Sequence, residues 1–160
     1  MTAVAECVIA REVGLAPVSL TLPAVLPSAR QARDFTATSL RQWGEVQDVV
    51  EAAVLIVCEL ATNAICHGDR LRAERGRERG PDAVFTLRLT PEPEVLHIEV
   101  YDGSTGLPVQ RTADHDEDSG RGLTIIAALA RSWTCVPDPA GGKWVRATLA
   151  RVPAPPRPGP

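Results

Sequence analysis

The run Val54-Leu55-Ile56-Val57-Cys58-Glu59-Leu60-Ala61-Thr62-Asn63-Ala64-Ile65-Cys66-His67 constrains this chain more than any other segment. Its apolar content asks for a helix, with Gly68 as a stop. A helix apolar around most of its circumference is expected to be largely buried. Glu59 and Asn63 then stand at i and i+4 on one face, and His67 at i+8 extends the stripe with some angular drift. A carboxylate in such a helix is costly to desolvate unless it is paired or lines a polar cleft. Glu59 is therefore a candidate general base. The plainer reading, an exposed Glu on an amphipathic helix, is weakened because Val54 to Cys58 are all apolar. Asn63 offers a neutral oxygen, and Mg²⁺ takes oxygen ligands while keeping several waters, so one side-chain oxygen plus phosphates is enough to hold it. His67 has two readings that stay open: it orients a phosphate, or its charge complements the dipole of the last helical turn.

The rest of the chain frames this helix. Residues 1–17 lack firm periodicity and are expected to form a flexible extension. Ser19-Leu20-Thr21-Leu22 alternates as an edge strand would, ended by Pro23. Ser28 is a candidate N-cap for a helix over 29–43, which places Ala32, Phe35, Thr36 and Leu40 on one side and stops at Gly44. Asp48 is a candidate cap for the second helix, ending near His67; the charged residues 69–82 read as a solvated loop. Phe85, Leu87 and Leu89 alternate with polar neighbours, as do Leu96, Ile98 and Val100, and Pro91-Glu92-Pro93-Glu94 joins them, so an antiparallel hairpin is expected. Residues 103–120 are too long and too rich in Gly, Pro and Asp for a simple turn and are read as a functional loop. A helix over 123–130 and a last strand pair, Ser132–Val136 with Lys143–Ala150, complete the domain; the Pro-rich residues 153–160 are expected to be a disordered tail. This order suits an α+β two-layer sandwich, with helices on one face of a mixed, mainly antiparallel sheet, over residues 18–152.

Composition narrows the function. At 160 residues the chain supports one well-buried core. A net charge of −3 gives no reason to expect nucleic acid as a partner. No uninterrupted run of about 20 apolar residues occurs, so neither a spanning helix nor a membrane partner is expected. Cys7, Cys58, Cys66 and Cys135 form no C-x-x-C pair and read as reduced, mostly buried thiols, which points to the cytoplasm. A metal site built from Cys66, His67 and either His97 or His115 lacks a tight ligand cluster.

Two further motifs carry chemistry. Asp102 continues the inward phase of Leu96, Ile98 and Val100, which is odd for a carboxylate unless it binds something. It can accept a hydrogen bond from an exocyclic amino group such as that of adenine. Gly103 and Gly106 relieve the backbone for close passage beside a flat ring. Gly120-Arg121-Gly122-Leu123 opens a helix, where free N–H groups attract phosphate; Arg121 adds charge and Thr124 a hydroxyl. The Gly-Lys-Ser/Thr of a P-loop is lacking. Together these pieces have the layout of an ATP site.

In this order they resemble the Bergerat (GHKL) ATP-binding fold of gyrase, the ninety-kilodalton heat-shock chaperone, histidine kinases and the mismatch-repair ATPases. Glu59 to His67 matches the N box, Asp102-Gly103-Ser104-Thr105-Gly106 the first glycine box, Gly120 to Leu123 the second, and Gly141-Gly142-Lys143 the closing box. Trp144 departs from the small hydroxyl residue often found there. Size makes the chain most similar to the anti-sigma-factor serine kinases of bacterial partner-switching systems. That resemblance implies ATP and Mg²⁺ as cofactors and a serine on an anti-anti-sigma (STAS-type) partner as phosphoacceptor. It also implies a sigma factor as second partner and suggests a homodimer, while the residues themselves leave the oligomeric state open. Glu59 would act on the serine hydroxyl, Asn63 would hold Mg²⁺, and Asp102 would read adenine. His67, Gly106, Gly120, Arg121, Gly122, Leu123 and Thr124 would complete the nucleotide site. The alternatives are a non-catalytic module that binds a regulator and a detached histidine-kinase catalytic domain.

Overall fold

The computed structural model describes residues 15–74, 83–103 and 121–151. Five strands and three helices follow in the order β1 (Val18–Pro23), α1 (Leu26–Gln42), α2 (Gln47–Glu74), β2 (Val84–Pro91), β3 (Val95–Asp102), α3 (Arg121–Leu129), β4 (Ser132–Pro137) and β5 (Lys143–Ala150). The strands form one sheet in the order β1-β2-β3-β5-β4. Each of its four pairings is antiparallel, so the mainly antiparallel sheet expected is antiparallel throughout among the described strands. Among the described residues the helices pack on the inner face of the sheet, which makes the fold α+β with two layers.

The core lies between α2 and the inner face of the sheet. Val49, Val50, Ala53, Ile56, Val57, Leu60, Ala61, Ala64 and Ile65 of α2 are buried at helical spacing against Phe85, Leu87, Leu89, Leu96, Ile98 and Val100 of the central strands. Burying each larger aliphatic side chain contributes about 1.5–3 kcal/mol. Leu55, however, is 44% exposed, so the helix has one buried face and not the nearly complete burial its sequence suggested. The segment Gln47–Cys66 is long and apolar enough to cross a membrane by composition, with a mean hydropathy of 1.9. The buried face explains that hydropathy, since half of the segment is packed inside the protein. The α1 helix packs beside it through Ala32, Thr36 and Leu40, and Thr36 Oγ1 donates to the Ala32 carbonyl at 2.8 Å.

Three boundaries differ from expectation. The first helix starts at Leu26 with Val25 as N-cap, so Ser28 lies inside the first turn and caps nothing. Pro27 explains this, because its fixed φ and missing N–H suit the opening of a helix. The second helix begins at Gln47, which puts Asp48 in its first turn and not at the cap. It also runs through Gly68 to Glu74, six residues into the expected loop. Gly costs about 1 kcal/mol in a helix interior, but Arg70-Leu71-Arg72-Ala73-Glu74 are good helix formers that offset it. The flexible extension up to residue 14, the loop 75–82, the functional loop 104–120 and the tail from 152 lie outside the described residues.

The outer face of the sheet carries a clamp that sequence reading had not found. Arg88, Glu99 and Arg146 stand directly opposite one another on β2, β3 and β5. Arg88 Nε donates to Glu99 Oε2 at 2.8 Å, and Arg146 reaches Oε1 through Nε at 3.0 Å and Nη2 at 2.8 Å. The Arg88 guanidinium also lies 4.2 Å over the Trp144 ring. Burial pushes the Glu99 carboxyl up, but the hydrogen bonds and charges of Arg88 and Arg146 outweigh it and hold the group below the usual carboxylate range. Because the folded value is depressed, this stabilisation is complete above the unfolded pKa and is lost as pH falls through the folded one. Urea unfolding midpoints should therefore fall between about pH 5 and pH 3 in the wild type, and less steeply in Glu99→Gln, which also starts lower at neutral pH. Parallel acid limbs for the two proteins would contradict this assignment.

Candidate functional site

One end of the α2–sheet interface opens into a cleft. Leu60, Asn63 and Ala64 of α2 form one wall, Val100 and Asp102 of β3 with Lys143 and Val145 of β5 form another, and Leu123 of α3 closes a side. The cavity inside it is small, about 10 Å³, and opens to solvent. Helical spacing explains the first wall: Leu60 and Ala64 are buried, and Asn63, partly exposed, sits between them at the rim. Strand alternation explains the second, where Leu96, Ile98, Val100 and Asp102 all point inward and Asp102 is only 6% exposed.

Asp102 faces a partner there. Lys143 pairs with it across the β3–β5 ladder, and its Nζ stands 3.5 Å from Asp102 Oδ2 with only 3% of the side chain exposed. The turn before Lys143 is held firmly. Gly141 and Gly142 have φ of +105° and +79°, the left-handed region that favours glycine. Asp138 N donates to the Gly142 carbonyl at 2.9 Å, Ala140 N donates to Asp138 Oδ1 at 2.8 Å, and Tyr101 Oη donates to the Gly141 carbonyl at 2.7 Å. Gly142 is also a close approach, since a Cβ there would lie 2.5 Å from the Asp102 carbonyl oxygen. Cys135 on β4 feels the same charges: burial raises its thiol pKa most, Lys143 pulls it down and Asp102 pushes it up, with a net rise.

The other candidates divide. Glu59 is partly exposed on α2, one turn before Asn63, and does not line the cleft. Leu123 lines it and is buried, whereas Thr124, on the next position of α3, is exposed. Gly106 and Gly120 lie outside the described residues, as do the side chains of His67 and Arg121 and the surroundings of Gly122. Of the residues weighed for a metal site, His97 lies away from α2 on the outer face, with Nδ1 3.0 Å from Thr148 Oγ1 and Nε2 3.1 Å from Glu92 Oε1. No group of three His, Cys, Asp or Glu side chains suited to a metal occurs among the described residues. Cys66 is exposed, and Cys58 and Cys135 are half-buried, so the three described thiols are less buried than expected, and Cys7 lies outside the described residues.

Sequence reading missed Lys143 as a site residue. The signal was available: it is the chain's only lysine beside sixteen arginines, and it closes the Gly141-Gly142 turn. The departure at Trp144 loses its importance, because that side chain faces the opposite side of the sheet. It packs on Tyr101 with ring centroids 5.3 Å apart and donates through Nε1 to Asp138 at 3.0 Å.

Chemically, the lining combines apolar side chains with, at one end, a hydrogen-bond acceptor beside a donor. Asn63 at the rim adds an oxygen of the kind Mg²⁺ accepts. A purine nucleotide fits this donor set. The sequence profile of the histidine kinase-like ATPase domain matches residues 22–149. The chain belongs to this ATPase domain family. Among solved structures it is similar to the RsbU and RsbW domains of Rv1364c from Mycobacterium tuberculosis, with 20% sequence identity and a TM-score of 0.60. That match covers 86% of this chain and 33% of the other, so the chain spans about a third of that protein's length and shares its fold. A comparison with proteins of curated function gives no match.

Two glycines of this ATPase domain provide a stability test. At Gly44, φ is +74° and an added Cβ meets nothing within 4 Å, so Gly44→Ala should cost about 1–2 kcal/mol from the left-handed backbone alone. At Gly142 the same methyl must also displace the Asp102 backbone and the Tyr101 hydroxyl. Gly142→Ala should thus lower the urea-derived stability clearly more than Gly44→Ala. Equal losses would mean that the close approach at Gly142 is not maintained.

Proposed function

We propose that this chain is an ATP-binding anti-sigma regulatory factor with protein serine/threonine kinase activity, which phosphorylates an anti-anti-sigma partner and sequesters a sigma factor in the cytoplasm. The observation that carries the nucleotide part is the meeting of Asn63 from α2 and Asp102 from β3 in one apolar cleft of a histidine kinase-like ATPase domain. The partners come from the resemblance to anti-sigma-factor serine kinases, to which the fold shared with an RsbW-containing protein adds support.

The roles follow from position. Asp102 accepts from the exocyclic amino group of the base, while Leu60, Ala64, Val100, Leu123 and Val145 keep water from its faces. Asn63 holds Mg²⁺ at the rim, and a neutral ligand leaves the ion's charge for the phosphates. The bound nucleotide supplies the phosphoryl group, and such transfer needs chiefly positioning and charge neutralisation. Glu59, one turn before Asn63 and partly exposed, orients or deprotonates a serine hydroxyl presented by the partner. Gly122, Arg121 and Thr124 open α3, where free N–H groups favour phosphate, with His67 and the glycines Gly106 and Gly120 as further members of the site.

The position of Glu59 outside the cleft wall also favours a second reading, a nucleotide-binding module that holds a regulator without transferring phosphate. One experiment separates the two. Purified protein with radiolabelled Mg²⁺-ATP and a small anti-anti-sigma protein should yield acid-stable phosphoserine on the partner. Glu59→Ala should lower that labelling by about 10²-fold or more while nucleotide affinity stays near wild type. Labelling at the normal rate in Glu59→Ala removes Glu59 as the base. Nucleotide binding with no labelling in the wild type supports the second reading.

A further inference from the structure

A second concave surface lies along the seam between α1 and α2, beside the part of α2 that precedes Glu59. Val50 and Val54 form its floor, and Arg30, Arg33 and Arg41 of α1 stand along one side. It holds about 400 Å³ and is open to solvent. Helical spacing brings the arginines together: Arg33, Ala37 and Arg41 recur at i, i+4 and i+8, and Arg30 stands one turn earlier. Elsewhere Arg88, Arg146 and Arg151 are each held by a carboxylate. Arg30, Arg33 and Arg41 are all exposed and make no ion pair with any described residue.

We propose that this groove docks an acidic, amphipathic segment of the protein that carries the phosphoacceptor serine. The inference rests on the kinase reading above and adds the surface that holds its protein substrate. Charge complementarity names the segment. Three guanidiniums without a carboxylate of their own suit the carboxylates of a partner, which Arg can take two-pronged. The apolar floor suits the side chains that an amphipathic helix presents beside its acids. Asp34 and Glu51 also line the groove, and they would repel the closely spaced phosphates of a nucleic acid, as does the net charge of −3. Position then links the groove to the chemistry. Glu51, Leu55 and Glu59 recur at i, i+4 and i+8 on α2, so the stripe that begins in the groove passes Leu55, which is exposed, and reaches Glu59. From Val54 to Glu59 the helix rises only about 8 Å. A partner seated on the arginines thus has a nearby serine within reach of Glu59.

The test is equilibrium binding of the small anti-anti-sigma protein used for labelling, fluorescently tagged, to the full chain with Mg²⁺ and a non-hydrolysable ATP analogue. The double variant Arg30→Glu with Arg33→Glu should raise its Kd by about tenfold or more, because like charges then face the acidic segment. Arg30→Gln with Arg33→Gln should raise it less, and both should weaken its dependence on salt. Arg131→Glu, an exposed site before the far edge strand β4, should stay within about twofold of wild type. In the labelling reaction the KM for the partner should rise in the two double variants while the KM for ATP and kcat hold. An unchanged partner Kd in both double variants, or an equal loss in Arg131→Glu, overturns the inference. So does tight binding of a fluorescent DNA duplex through the same arginines. Should the Glu variant fail to fold, the Gln variant decides. Partner binding that ignores these arginines sinks this inference alone, whereas a wild type that neither binds nor labels the partner sinks the kinase reading with it.

Discussion

Everything in this fold depends on laying the apolar face of α2 across the inner face of an antiparallel sheet. Ile56, Val57, Ala61 and Ile65 are completely buried there against Phe85, Leu87, Leu89 and Ile98. Protein interiors are close-packed, so this contact fixes the rotation of the helix about its axis and its depth on the sheet. The rotation in turn decides which residues reach the open end. With Leu60 and Ala64 pressed inward, Asn63 is carried to the rim of the cleft and Glu59, one turn earlier, is left half outside. The chemistry offered at the rim is thus a consequence of core packing.

The two ends of the interface are finished differently. At the end away from the cleft, Arg151 follows β5 and bonds Glu45, between the two long helices, through Nε at 2.6 Å, and the Glu92 carbonyl through Nη1 at 2.6 Å. Both side chains are buried, so this contact ties the α1–α2 turn, the β2–β3 turn and the end of the sheet together. At the cleft end the inward rows of β3 and β5 stop in charged residues, Asp102 and Lys143. Charges in that phase are expensive to desolvate, and only a polar ligand or a mutual partner makes the position tolerable. One end is tied by Arg151, and the other ends in the Asp102–Lys143 pair.

Much of this was legible in the sequence because period carries directly into burial. The alternation of Phe85, Leu87 and Leu89 and of Leu96, Ile98 and Val100 gave the hairpin, and the same phase singled out Asp102. The helical spacing of Ala32, Thr36 and Leu40 gave the face of α1. What was illegible depends on pairs of distant positions. That Lys143 meets Asp102, or that Glu99 is clamped by Arg88 and Arg146, follows from strand register, and no local pattern states which residue of β5 lies opposite which residue of β3. Helix ends were misjudged for a different reason. Pro27 and Gly68 act through small local energies, and good helix formers beyond Gly68 outweighed the stop it offered.

The closing segment shows why phase matters more than motif identity. By motif position, Trp144 stands where a small hydroxyl residue is often found, and the substitution looks damaging. In the sheet, Trp144 points outward, between Tyr101 and the Arg88 guanidinium, and its bulk costs the cleft nothing. The neighbour one position earlier faces the other way and delivers an ammonium to the carboxylate of β3. Successive residues on a strand serve opposite faces, so Gly141-Gly142-Lys143-Trp144 contributes to two separate networks at once. The glycines set the register of both, since their left-handed backbone and the Asp138 turn fix where β5 begins. A shift of one residue there would exchange the two side chains, putting an indole into the cleft and taking the Lys143 ammonium away from Asp102.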